Sequence, residues 1–304
     1  MTSMANIFML LLIPILISLS WLLGGNLIRE LHPMTLASGR VVLSAAFLFF
    51  TSSILHSQKN WTWAEKKTWW KDQAFLSLTG RVFYYYFSAR ALLTISPFEA
   101  VLITTQLPIF SMFLERIFRM RVFSSFAIPA LGIATSFIAA IAVWSSNFES
   151  HLFFRPGYIE MLLAILFFGI HLVFYKKKVR DASSLNPLFA QFLLASLVML
   201  PLGFSQMREL GELGLFDWGQ MLIYTFVCGL LPFVLVHHSL KKFTAFSVAA
   251  VSILSPIFAI CFKSVYTSQT LSLVFVFLTL LTCLFTFFTL SMDMRRHAGA
   301  KAYE

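Results

Sequence analysis

Apolar residues fall in ten long blocks along the chain, at 6–28, 34–55, 74–93, 97–115, 123–146, 156–176, 185–204, 217–239, 244–264 and 270–291. Each is near the roughly 20 residues that a helix needs to cross a bilayer. Hydrocarbon offers no hydrogen bonds to the backbone, so blocks of this length without a β-barrel's alternation are read as helices. Helix-start chemistry marks two joints, Ser96-Pro97 and Asn186-Pro187. The joints at 94–97 and 240–243 are the tightest. The pattern predicts an all-α integral membrane protein with ten transmembrane helices.

Composition agrees with that reading. Hydrophobic residues make up 59% of the chain and charged residues 12%, about half the charge that a soluble domain carries. The longest polar stretch, Gln58 to Gln73, is too short to enclose a core. A net charge of +10 would suggest nucleic acid in a soluble protein. Here the basic residues stand in clusters between apolar blocks, so they report topology and no nucleic-acid partner is expected. With the N-terminus inside, cytoplasmic joints hold sixteen Lys and Arg, including Lys66, Lys67, Lys71, Arg116, Lys176–Lys178, Lys241 and Lys242. Outer joints hold only Arg29, Arg155, Arg208 and Lys263. Both termini are therefore expected in the cytoplasm. The first block lacks the basic start and cleavage site of a signal peptide and is read as a retained helix. Cys228, Cys261 and Cys283 lie inside apolar blocks without metal-ligand spacing, so neither disulfides, metal nor cofactor is expected.

The two halves repeat one another. Trp69 and Gly80 match Trp218 and Gly229 at an offset of 149. Ser96, Phe98 and Pro108-Ile109-Phe110 match Thr244, Phe246 and Pro256-Ile257-Phe258 at an offset of 148. His32-Pro33 and Asn186-Pro187 form a looser pair, each opening a helix. The units run 1–150 and 151–304. Each holds five helices, an odd number, so the second copy enters the membrane upside down; such inverted repeats present one site alternately to two sides.

With these features the chain resembles the drug/metabolite transporter superfamily, EamA-like branch. The matching residues are Pro33-Met34-Thr35-Leu36-Ala37-Ser38-Gly39-Arg40, Ala91-Leu92, Gln106-Leu107-Pro108-Ile109-Phe110, Glu115-Arg116 and Gly132, then Ser239-Leu240 and Ser255-Pro256-Ile257-Phe258-Ala259. The resemblance implies two inverted five-helix repeats and a carrier in the inner membrane of a bacterium. It implies a central cavity lined by the first, third, fourth, sixth, eighth and ninth helices, with the fifth and tenth outside.

Ionisable groups within spans are the most informative residues, since each costs at least ~2.5–3.5 kcal/mol at the bilayer centre. Arg81 shares a helical face with Tyr84, Tyr85 and Ser88. It is either a donor to a substrate carboxylate or phosphate, or a structural pair. Glu160, Phe167 and His171 share one stripe of the sixth helix. Glu160 either meets a substrate amine or a proton, or sits among outer headgroups. His171 either relays a proton or packs between helices. Glu99 opens the fourth helix, where a carboxylate also favours the helix dipole. Gln106 shares its face near mid-depth, beside the carbonyl of Thr104 that Pro108 leaves free. Arg40 belongs to the resemblance motif, but in the outer half it either snorkels or pairs, and Arg90 snorkels. Trp21 and Asn26 are further cavity candidates, His237-His238 reads as interfacial, and Gly132, Ser136 and Ala140 form a packing stripe. No enzyme motif stands out.

The expectation is a non-enzymatic carrier of a zwitterionic, amino-acid-like metabolite. Aromatic amino acids and S-adenosylmethionine are both handled within the resembling superfamily. A nucleotide sugar or phosphorylated metabolite is the second reading and would need two deep cations free of carboxylates. A lipid-acting membrane enzyme is the third. Oligomeric state is left open.

Overall fold

The computed structural model describes residues 4–54, 63–118, 155–178 and 185–267, with isolated positions beyond them. The predicted spans 123–146 and 270–291 lie outside these residues, as does the Gly132 stripe apart from Gly132 itself. Among the described residues all regular structure is helical, in eight helices. The first two are α1 (Met4–Leu27) and α2 (Pro33–Ile54). α3 is composite: Trp63–Ser77, a π-helical segment Leu78–Phe83, then Tyr84–Ala91. α4 is broken into Pro97–Thr104 and Leu107–Ile117. Then come α5 (Pro156–Lys178) and α6 (Leu185–Gly203), which runs into a 3-10 segment, Phe204–Glu212. α7 (Leu215–Lys242) has a π segment at Phe226–Leu230. α8 is Ala245–Ala250, a 3-10 turn Val251–Leu254, and Ser255–Thr267. Seven of the eight are long and apolar enough to cross a membrane. The eighth, α3, carries a polar first half and Arg81. It begins at Trp63 rather than near 74, so much of the expected cytoplasmic joint is helix.

The caps and breaks have local causes. Ser96 caps α4 in a reciprocal box: its hydroxyl accepts from the Glu99 amide at 3.2 Å, and the Glu99 carboxylate accepts from the Ser96 amide at 2.7 Å. Thr244, its repeat mate, caps α8 by accepting from the Ser247 amide at 3.0 Å. The break in α4 precedes Pro108, which has no amide to give Thr104. Ser252, on the 3-10 turn of α8, supplies a long bond instead, its hydroxyl donating to the Thr104 carbonyl at 3.4 Å.

Packing follows the repeat. α1 lies against α7 and α8, while its counterpart α5 lies against α3 and α4. α2 makes its most extensive contact with its own counterpart, α6. The partners exchange when the repeats are exchanged, so a pseudo-two-fold relates the halves. At the 148-residue offset Thr104 corresponds to Ser252, and these two touch. The pseudo-axis passes beside them.

Candidate functional site

A cavity of about 80 Å³ opens among α1, α2, α3, α5 and α7. Its wall is largely apolar and carries six aromatic side chains: Trp21, Tyr84, Tyr85, Phe168, Tyr224 and Phe233. Arg40 is the cation lining it. The guanidinium is buried, and its Nη2 donates to the Cys228 carbonyl at 2.7 Å. Its Cζ stands 4.2 Å from the Tyr224 ring centroid and 5.4 Å from that of Tyr85. No carboxylate pairs with it among the described residues, and its Nε has no hydrogen-bond partner. Arg40 reaches this position because Gly229 has no side chain. A Cβ there would lie 2.5 Å from the Arg40 Nε.

Arg40 therefore does not snorkel; it is a cavity wall. Tyr84, Tyr85, Trp21 and Ser88 also line the cavity. Arg81 does not. Although four residues from Tyr85, it lies behind Phe233, its Cζ 3.7 Å from that ring centroid and 4.7 Å from that of Phe192. It is fully buried. Nη1 donates to the Gly80 carbonyl at 2.9 Å and Nη2 reaches Gln191 Oε1 at 3.5 Å.

The remaining candidates fall elsewhere. Glu160 pairs with half-exposed Arg90 at 2.8 Å, outside the cavity, so Arg90 has a partner rather than merely snorkelling. Phe167 stacks on Phe87, centroids 5.8 Å apart, and its neighbour Phe168 is the one that faces the cavity. Glu99 accepts from the Tyr158 hydroxyl at 2.6 Å and so ties the start of α4 to α5. Gln106 sits in the α4 break, its amide 3.3 Å from the Thr105 hydroxyl. Asn26 is not among the lining residues.

His171 packs deep between helices. Its Nδ1 is 3.0 Å from the Leu76 carbonyl, which only accepts, so Nδ1 carries the hydrogen. Its Nε2 is 3.2 Å from His237 Nε2, so one proton is shared across that contact. Gly80 leaves the room: a Cβ there would lie 2.2 Å from His171 Nδ1. His237 is consequently buried rather than interfacial, stacked at 3.8 Å on Tyr175. The hydropathy of α7 points to an end near Lys241, and only the packing reveals that His237 turns inward. No sequence pattern singles out Tyr224 or Phe233. Gly229 carried a signal, through its match to Gly80.

Similarity to known proteins agrees with this geometry. No curated protein matches the sequence. A solved structure titled only "Crystal structure of protein" has the same fold: TM-score 0.69 and 14% identity, covering 93% of this chain and 98% of that one. The model of the EamA-like transporter family matches residues 4–145 and again 155–291. Two matched repeats over nearly the whole sequence, on a bundle of apolar helices with a cavity between the repeats, place this integral membrane protein in the EamA-like transporter family.

Proposed function

We propose that the chain carries a small, carboxylate-bearing, amino-acid-like metabolite across the membrane by alternating access, with the carboxylate on Arg40. The observation that carries this reading is a buried cation on the cavity wall with no carboxylate partner among the described residues. An isolated charge is costly in a low-dielectric interior. A substrate anion relieves that cost, and Arg binds a carboxylate with paired N–H donors. The aromatic wall suits an aromatic or aliphatic side chain, and its ring faces attract an ammonium group. The pairing of Glu160 with Arg90 outside the cavity favours these ring faces over Glu160 as the partner of the amine.

A nucleotide sugar or phosphorylated metabolite fits less well. It calls for two cations facing the ligand, and Phe233 separates Arg81 from the cavity. At about 80 Å³ the cavity is also well below the ~300–1,000 Å³ of an ordinary ligand pocket. It must widen even for an amino acid. The excess of basic residues on one set of joints supports cytoplasmic termini, and the family supports a bacterial inner membrane.

The test is a thermal-shift screen of detergent-purified protein against amino acids, beginning with phenylalanine. A ligand at 100 times its Kd adds ~2.7 kcal/mol. Arg40→Gln should remove that shift and Arg40→Lys should keep part of it. A ligand that protects wild type and Arg40→Gln equally would overturn the assignment.

A further inference from the structure

Arg81 raises the same question as Arg40, and the fold supplies a parallel answer. Both guanidinium groups are anchored on carbonyls of π-helical segments: Arg40 on Cys228 in Phe226–Leu230, Arg81 on Gly80 in Leu78–Phe83. These segments are repeat mates and contain the matched glycines Gly229 and Gly80. Each glycine lies eleven residues from its matched tryptophan, Trp218 or Trp69, or about 16 Å along a helix. The two arginines stand on consecutive helices of the first repeat, α2 and α3, and each guanidinium donates to a carbonyl beside or at one of the two matched glycines.

Only one of them meets the cavity. Phe233 faces the cavity on one side and Arg81 on the other. Behind Arg81 a polar ladder runs away from the cavity, from Gln191 Oε1 to Gln73 Oε1, which accepts from Gln191 Nε2 at 2.9 Å. Gln73 neighbours Asp72, whose carboxylate pairs with half-exposed Lys178 at 3.5 Å, so the ladder ends at the helix ends rich in lysine. Arg81 Nε and Gln73 Nε2 are buried without hydrogen-bond partners. No carboxylate pairs with Arg81 among the described residues. A sealed row of polar groups around an uncompensated cation is expensive unless something polar enters it.

We propose that Arg81, Gln191 and Gln73 form a second carboxylate subsite, shut here by Phe233 and Phe192 and open to the opposite, cytoplasmic face when the cavity at Arg40 closes. The substrate carboxylate passes from one arginine to the other as the aromatic partition moves. This inference rests on the transport reading above, but its test requires no substrate.

Gln191→Cys and, separately, the cavity-wall variant Ala37→Cys are made in the full chain and expressed in membranes. Inside-out and right-side-out vesicles are treated with an anionic sulfonatoethyl or a cationic trimethylammonioethyl methanethiosulfonate. Peptide mass spectrometry reads the engineered position alone, so the native cysteines stay in place. Gln191→Cys should be modified from the face opposite to Ala37→Cys, and faster by the anion. Arg81→Gln should cut the anion-to-cation rate ratio about tenfold, because a unit charge a few ångströms away is only partly screened; Arg81→Lys should preserve the ratio and guards against misfolding. Failure to label position 191, labelling from the face that labels position 37, or a ratio indifferent to Arg81→Gln would each overturn the subsite. Loss of phenylalanine binding in Arg40→Gln is measured separately and can fail independently.

Discussion

Replacing Gly229 by Ala separates a crowded glycine from an ordinary helical one. In an unconstrained helix interior Ala is favoured over Gly by ~1 kcal/mol. At position 229 the new methyl would stand 2.5 Å from Arg40 Nε, 2.8 Å from Nη2 and 3.0 Å from Cζ. Carbon contacts settle near ~3.5–4.0 Å, so the guanidinium must retreat by about 1 Å. That retreat breaks its 2.7 Å bond to the Cys228 carbonyl, a charged hydrogen bond worth ~1.5–3 kcal/mol. The sum is a destabilisation of about 0.5–2 kcal/mol. The displaced cation should also weaken the carboxylate ligand about tenfold, the equivalent of ~1.4 kcal/mol. Gly219→Ala is the control, because a Cβ there meets nothing within 4 Å. Melting curves of both variants in detergent, with and without phenylalanine, decide the matter. If Gly229→Ala melts as high as Gly219→Ala, Arg40 does not sit against α7 as described and the site collapses with it.

Two other substitutions separate scaffold from site. Glu99→Ala should lower stability by ~1–2 kcal/mol, because it removes the acceptors for the Ser96 amide and the Tyr158 hydroxyl, while leaving ligand affinity unchanged; reduced affinity at an unchanged melting temperature would return Glu99 to the binding site. Glu160→Gln breaks only a half-exposed pair with Arg90, so stability should move by less than ~1 kcal/mol and affinity not at all, and a lost thermal shift would restore Glu160 as a ligand for the substrate amine.

Much of this scaffold was legible because lipid simplifies the code. Apolar length located the helices, and Trp, Gly and Pro at nearly constant offsets exposed the repeat. The site was harder, for reasons tied to particular residues. Arg81 and Tyr85 share a face only if α3 keeps its ordinary period. The π segment Leu78–Phe83 uses i→i+5 bonds and takes in an extra residue per turn, so Tyr84 and Tyr85 turn to the cavity while Arg81 turns behind Phe233. Glu160 and His171 do share a stripe, but eleven residues are about 16 Å of helix, too far for one site. Arg40 is open in the sequence to snorkelling or pairing, because depth is readable there while the neighbour that accepts its hydrogen bond is not. That neighbour, Cys228, is 188 residues away.

The irregularities themselves form a pattern that bears on mechanism. A regular helix satisfies its own carbonyls, whereas a break or π turn in a membrane must find donors elsewhere. Here the donors come from the other repeat or from a cationic side chain: Ser252 serves Thr104, Ser18 donates to the Ser255 carbonyl at 2.6 Å, and the arginines serve Cys228 and Gly80. The repeat-mated breaks in α4 and α8 meet beside the pseudo-axis, where Thr104 touches its own equivalent. Motion there is constrained by the pseudo-symmetry: what one repeat gives up, the other can take on, with contacts of similar kind. Two states related in this way differ little in energy, which is what a carrier requires if substrate binding is to tip the balance. The asymmetry lies in the two arginines, both carried by the first repeat, and in Phe233 of the second, which stands between Arg40's cavity and Arg81. In the proposed cycle the pseudo-symmetric scaffold supplies two states of comparable stability, and the position of that ring decides which arginine the carboxylate can reach.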